Sequence, residues 1–113
     1  MLQKKMTVQE VIKAVNDTTQ FTALDLKLPY LLRRAIRKNI NTLVDEYKIF
    51  DAERNRILDE GGDEQEIIKM LNEEVEVSIE MISEAELIDV TVSYQDELLI
   101  EYMLEWPDAK ESE

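Results

Sequence analysis

Carboxylates are the most abundant reactive groups in this sequence of 113 residues, which holds 26 Asp and Glu against 13 Lys and Arg and carries a formal charge of −13. They fall in close sets: Asp59-Glu60-Asp63-Glu64, Glu73-Glu74-Glu76 and Glu84-Glu86. Carboxylate pairs can flank a cleft for glycoside hydrolysis or wrap a hard cation such as Mg²⁺ or Ca²⁺. Neither pattern is present. The run Asp59-Glu60-Gly61-Gly62-Asp63-Glu64-Gln65-Glu66 lacks the alternating ligand spacing of a calcium loop and reads as a solvated acidic loop. There is no His and no Cys. This removes the commonest general base, the commonest transition-metal ligand, disulfides and thiolate chemistry. No phosphate-binding glycine loop and no Ser/His or Cys/His constellation occurs. The sequence therefore predicts no enzyme, no catalytic residue, no metal site and no cofactor.

The charge is unevenly placed. Residues 1–60 carry a net +2 and residues 61–113 a net −15. Within the first half, Arg33, Arg34, Arg37 and Lys38 cluster at what should be the start of a helix, where the macrodipole disfavours cations. A compensating anion is implied: the acidic half of the same fold, a nucleic-acid backbone or an acidic partner protein, with simple solvation as the remaining reading. In the second half, Glu76, Glu80, Glu84 and Glu86 could stand at spacings like those of duplex phosphates. The overall negative charge makes direct binding to DNA or an anionic membrane unfavourable, since each phosphate contact needs a cation to displace counterions.

These groups must be positioned by a chain with a real core, because 44% of residues are hydrophobic. Thr7 and Glu10 make a capping box ahead of Val8, Val11, Ile12 and Val15, which predicts a helix over about residues 8–24. Pro29 fits the first turn of a second helix. Leu32, Ile36, Ile40, Leu43, Tyr47, Phe50, Arg54 and Ile57 then recur at three and four, a helix of roughly 30 residues and about 45 Å, closed by Gly61-Gly62. Asp63 and Glu66 cap a short helix over about residues 64–72 carrying Ile67, Ile68 and Leu71. Val75, Val77, Ile79 and Met81 alternate with Glu74, Glu76, Ser78 and Glu80, the pattern of a half-buried strand. Residues 83–86 suit a turn and Ile88–Val92 a second short strand. Ser93 and Asp96 cap a last helix with Leu98, Leu99, Tyr102, Met103 and Trp106 on its apolar side, stopped by Pro107. Residues 107–113 form an acidic tail expected to be disordered.

The expected architecture is a single α+β domain over residues 1–106, mostly α: a long central helix in a helical hairpin, a small antiparallel β element at about 75–92 and a C-terminal helix. Its core is expected to hold Val11, Val15, Leu32, Ile36, Ile40, Leu43, Tyr47, Phe50, Ile67, Leu71, Val75, Val77, Ile79, Leu99, Tyr102 and Met103. Asn39 either bonds across to a neighbouring element or is exposed. Arg54, on the apolar stripe, either snorkels or pairs with a carboxylate such as Glu74 or Glu76.

The run from Leu28-Pro29 through Lys38-Asn39, Leu43, Glu46 and Arg54 to Glu74-Val75-Glu76 resembles small proteins of tailed phages and prophages of low-GC Gram-positive bacteria, a family of unknown function (the domain of unknown function 1617 type). The resemblance covers about residues 24–104. It implies a phage or prophage origin and carries no catalytic residues.

The expected function is that of a non-enzymatic phage or prophage accessory acting by protein–protein interaction, as an assembly chaperone or small structural component. The alternative is an acidic nucleic-acid mimic that inhibits a host nuclease, defence or regulatory protein. No run of about 18 apolar residues is available to span a membrane, and the N-terminus does not read as a signal peptide. The host cytoplasm, or association with the virion, is the expected location. A helix of about 45 Å exceeds the diameter of about 34 Å for a compact chain of this length, and its segment near Ile49, Phe50 and Ile57 is apolar. A homodimer through this helix, the edge of the β element or both is therefore expected, alongside a phage or host protein as partner.

Overall fold

The computed structural model describes residues 2–83, 90 and 92–105. Its elements are strand β1 (Leu2–Thr7), helix α1 (Val8–Thr22), helix α2 (Tyr30–Asp59), helix α3 (Glu64–Leu71), strand β2 (Glu74–Ile79), strand β3 (Ile82–Ser83), helix α4 (Tyr94–Glu97), a 3₁₀ segment (Leu98–Met103) and strand β4 (Leu104–Glu105). This is the α+β, mostly helical fold expected from the sequence, with α1 and α2 as its helical hairpin.

Side-chain caps set the helix starts. The Thr7 hydroxyl accepts the Glu10 N–H at 3.1 Å while the Glu10 carboxylate accepts the Thr7 N–H at 2.8 Å, a complete capping box. Asp63 accepts the Glu66 N–H at 3.2 Å, and Ser93 the Asp96 N–H at 3.1 Å. Pro29 stands one residue before α2 as its N-cap rather than inside the first turn; its carbonyl accepts the Arg33 N–H at 3.1 Å. At the other end of α2, the Gly62 N–H bonds the Ile57 carbonyl at 2.8 Å and the Gly61 N–H the Leu58 carbonyl at 3.2 Å, a Schellman motif. Gly61 takes φ +79°, and a Cβ on Gly62 would lie 2.4 Å from the Ile57 side chain. Each glycine is thus required for a different reason.

The antiparallel sheet differs from expectation in its partner. β2 pairs with β1, in the register Leu2↔Ile79, Lys4↔Val77 and Met6↔Val75. The expected turn at 83–86 and the strand at 88–92 fall largely outside the described residues, as does the tail at 107–113. A second pairing is parallel, Ile82↔Leu104 and Ser83↔Glu105. It shortens the expected C-terminal helix: α4 ends at Glu97, the 3₁₀ segment breaks its helical geometry at Ile100 (φ −120°, ψ 21°), and Leu104 leaves as a strand. Ile100, Met103 and Leu104 are buried, whereas Leu98, placed on the apolar side from the sequence, is 38% exposed. Core burial and strand pairing outweigh helical continuation here.

The core lies between α1, α2 and the β1–β2 sheet. Its fully buried large side chains include Val11, Phe21, Leu32, Leu43, Ile79, Ile100 and Met103. On α2 the inward face runs Leu32, Ala35, Ile36, Asn39, Leu43. Ile40 and Tyr47 are only half-buried, as are Val15, Ile67, Leu71, Val75, Leu99 and Tyr102. The stripe read from the sequence was offset because small Ala35 and polar Asn39 occupy its centre.

Candidate functional site

The cationic cluster and an apolar groove coincide. α1 ends at Thr22, and the linker turns through Asp25, whose φ of 55° is left-handed, a conformation that Asp tolerates. The chain then continues without regular secondary structure to Pro29, with Leu26 and Leu28 half-buried. Together with Phe21 of α1 and Tyr30, Arg33, Arg34, Ile36, Arg37 and Ile40 of α2, this linker walls a groove of about 560 Å³.

Three of the four expected cations, Arg33, Arg34 and Arg37, line this groove; Lys38 does not. Arg33 donates from Nε to the Leu28 carbonyl at 3.2 Å, and its guanidinium carbon lies 5.9 Å from the centre of the Tyr30 ring. Arg34 lies 3.7 Å from a carboxylate oxygen of Glu80. Arg37 is exposed and makes no ion pair among the described residues. The acidic half of the fold thus compensates one member of the cluster.

Of the acidic candidates, Glu76 is exposed on β2 and stands opposite Lys5 of β1, while Glu80 is half-buried beyond the strand. Arg34 engages the Glu80 side chain, and Asn39 holds its main chain with bonds of 3.0 and 2.7 Å. Glu84 and Glu86 lie outside the described residues.

The apolar candidates separate. Ile49 is 66% exposed, but Phe50 and Ile57 are buried within the chain. Phe50, Ile12, Ile67, Ile68 and Leu71 line a second groove, of about 510 Å³, between α1, α2 and α3. Arg54 also lines it, ion-paired to Asp51 one turn earlier and with its guanidinium carbon 5.5 Å from the centre of the Phe50 ring. Its carboxylate partner is therefore on its own helix rather than at Glu74 or Glu76.

Sequence reasoning missed Tyr30, Leu31, Leu58 and Ile68 as exposed large apolar residues. It also missed the contribution of Phe21, Leu26 and Leu28 to the basic groove. The alternation Leu26-Lys27-Leu28 before a helix-starting proline was the available signal. Tyr102, which lines neither groove, has its phenol pushed up to about 12 by burial, opposed by its hydrogen bond with Thr18 at 2.9 Å.

Among the described residues, no group of three or more acidic side chains converges on a point that could hold a metal ion. No helix among them is long and apolar enough to cross a membrane. No protein-family model, curated protein or solved structure matches the chain.

Proposed function

We propose that the chain is a non-enzymatic accessory protein of a phage or prophage, an assembly chaperone or small structural component. In this reading it works in the host cytoplasm by binding protein and forms a homodimer. The phage setting rests on the sequence resemblance alone. The interaction role is carried by one observation: the distal half of α2 and helix α3 leave apolar side chains uncovered. Ile49 is 66% exposed, Leu58 52% and Ile68 47%, and α3 buries none of its residues. A short amphipathic helix owes its stability to burial of its apolar face, and a second surface laid on α3 and α2 would complete that burial.

Shape supports the same reading. The Cα radius of gyration is 16.0 Å and the chain extends 52 × 36 × 24 Å, against about 13 Å for a compact chain of this length. α2 presents a long side to a second copy, and a two-fold arrangement places the same patch on both sides. The nucleic-acid-mimic alternative draws less support, because Glu80 is engaged by Arg34 rather than standing free beside Glu76.

Sedimentation equilibrium at micromolar concentration tests the self-association. The expected species has twice the 13.3 kDa chain mass; a single species at the chain mass removes the homodimer. Co-purification with virion parts tests the accessory role, and competition with DNA for host-lysate proteins tests the alternative.

A further inference from the structure

We propose that the groove between the end of α1 and the first turns of α2 is a docking site for an acidic segment of a partner protein that also carries large apolar side chains. This rests on the reading of the chain as an interaction protein, and it names the chemistry of one partner.

The groove joins an apolar floor with a cationic rim. Its floor is apolar, with Phe21 and Ile36 buried and Leu26 and Leu28 half-buried, and its volume of about 560 Å³ lies within the range of about 300–1,000 Å³ typical of ligand pockets. Its rim is cationic. Arg37 has no ion pair among the described residues, and Arg33 commits only its Nε to the Leu28 carbonyl. The remaining guanidinium N–H groups suit carboxylates, which they bind in a planar, two-pronged fashion.

The helix reinforces the sign of the rim. α2 has no acidic residue in its first turn and no side-chain cap at Pro29. The positive end of its dipole therefore adds to the arginines instead of being offset. Among the described residues, Asp25 is the lone carboxylate in the groove wall, and Glu80 is engaged by Arg34. A local positive field stands on a molecule of net charge −13.

That contrast selects the ligand. A long polyanion such as duplex DNA would lay its phosphates against the acidic remainder of the molecule and leave the apolar floor unfilled. A flat anionic membrane cannot enter a concave groove. A short amphipathic segment meets both requirements: carboxylates on the rim and Leu or Phe on the floor. Arg33 and Arg37 are one helical turn apart, so their Cβ atoms lie about 5–6 Å from each other. Carboxylates spaced by one turn on a partner helix match them.

The test is fluorescence anisotropy with the full chain and a labelled peptide of Glu, Leu and Phe, its glutamates one turn apart and flanking the apolar residues. Saturable binding that weakens with salt is expected. The double substitution Arg33→Glu and Arg37→Glu should weaken it at least about tenfold, and Ile49→Ser should leave it unchanged. Should the double variant fail to fold by circular dichroism, Arg37→Ala alone, at an exposed position, carries the comparison. The proposal is overturned by no saturable binding, by an equal affinity for a peptide with Ser in place of Leu and Phe, by tighter binding of a duplex oligonucleotide, or by indifference to the arginine variants. A chain that dimerises but binds no peptide loses this proposal alone. A monomeric chain that binds it through Arg37 loses only the homodimer.

Discussion

Asn39 on α2 clamps the main chain of Glu80. Its Nδ2 donates to the Glu80 carbonyl at 3.0 Å, and its Oδ1 accepts the Glu80 N–H at 2.7 Å. The amide offers one donor and one acceptor side by side, as a neighbouring strand would, at the point where β2 has ended and β3 has not begun. Asn39 is fully buried, and its Nδ2 also approaches the Met103 sulfur at 3.4 Å. A polar side chain in the centre of an apolar helix face is stable there because both of its functions are met.

Replacing Asn39 by Leu should therefore destabilise the chain although it adds apolar volume. The two Glu80 backbone groups would lose their partner, at about 1–3 kcal/mol for each left buried and unmet. Urea denaturation of Asn39→Leu and Asn39→Ala reads the loss. A gain in stability on Asn39→Leu would show that the clamp contributes nothing.

The same pair shows where the sequence was legible. α2 was readable from end to end because a single period persists without Pro or Gly until Gly61, and the caps at Thr7, Asp63 and Ser93 were readable because their geometry is local. The choice between a bonded and an exposed Asn39 was not, since it depends on where a strand from forty residues away comes to rest. β1 was hidden for a similar reason. Met6 is buried and Lys4 half-buried between exposed Gln3 and Lys5, but a lysine in the inward set erases the apolar pattern. Lys4 is accommodated by donating its ammonium to the Tyr102 carbonyl at 2.9 Å. The basic groove was half legible. Its arginines announced themselves, while its apolar floor comes from three separate stretches that only the fold brings together.

Core substitutions on α2 should rank by burial rather than by residue type. Leu43 is 0% exposed and Ile40 only half-buried. Leu43→Ala should cost about 2–5 kcal/mol and Ile40→Ala distinctly less. Equal losses in thermal unfolding would mean that the inward face of α2 is centred elsewhere.

Tyr102 should give the chain an alkaline limit. Burial raises its phenol to about 12 in the folded state, above the unfolded value of about 10. A raised value means stability fully present below the unfolded pKa and lost as pH rises toward the folded one. Stability should thus fall between pH 10 and 12, by something on the order of 2 kcal/mol. Tyr102→Phe removes the titrating group together with the Thr18 bond. Its stability at neutral pH should drop, and its decline across the alkaline window should be shallower than that of the parent chain.

Salt should raise the melting temperature. Among the described residues, the ion pairs Lys13–Asp17, Arg54–Asp51, Arg56–Glu53 and Arg56–Glu60 all lie within residues 1–60, and Arg34–Glu80 alone reaches the acidic half. Like charges in that half repel across solvent, and about 0.3 M salt shortens the Debye length below 8 Å. A melt that does not respond to salt would show that the acidic surface is neutralised within the fold.

The two proposed surfaces should answer salt with opposite signs, which separates them without any knowledge of the natural partner. Two chains that each carry −13 repel as they approach, and contact through the exposed Ile49 is apolar, so screening should strengthen the homodimer. An acidic peptide entering the groove beside Arg33 and Arg37 is drawn by charge, so screening should weaken it. Sedimentation equilibrium and peptide anisotropy over the same salt series therefore give diverging curves. Ile49→Asp should abolish the first response and leave the second intact. Parallel curves would mean that a single surface is responsible for both, and the division of this chain into an apolar self-contact and a basic docking groove would fall.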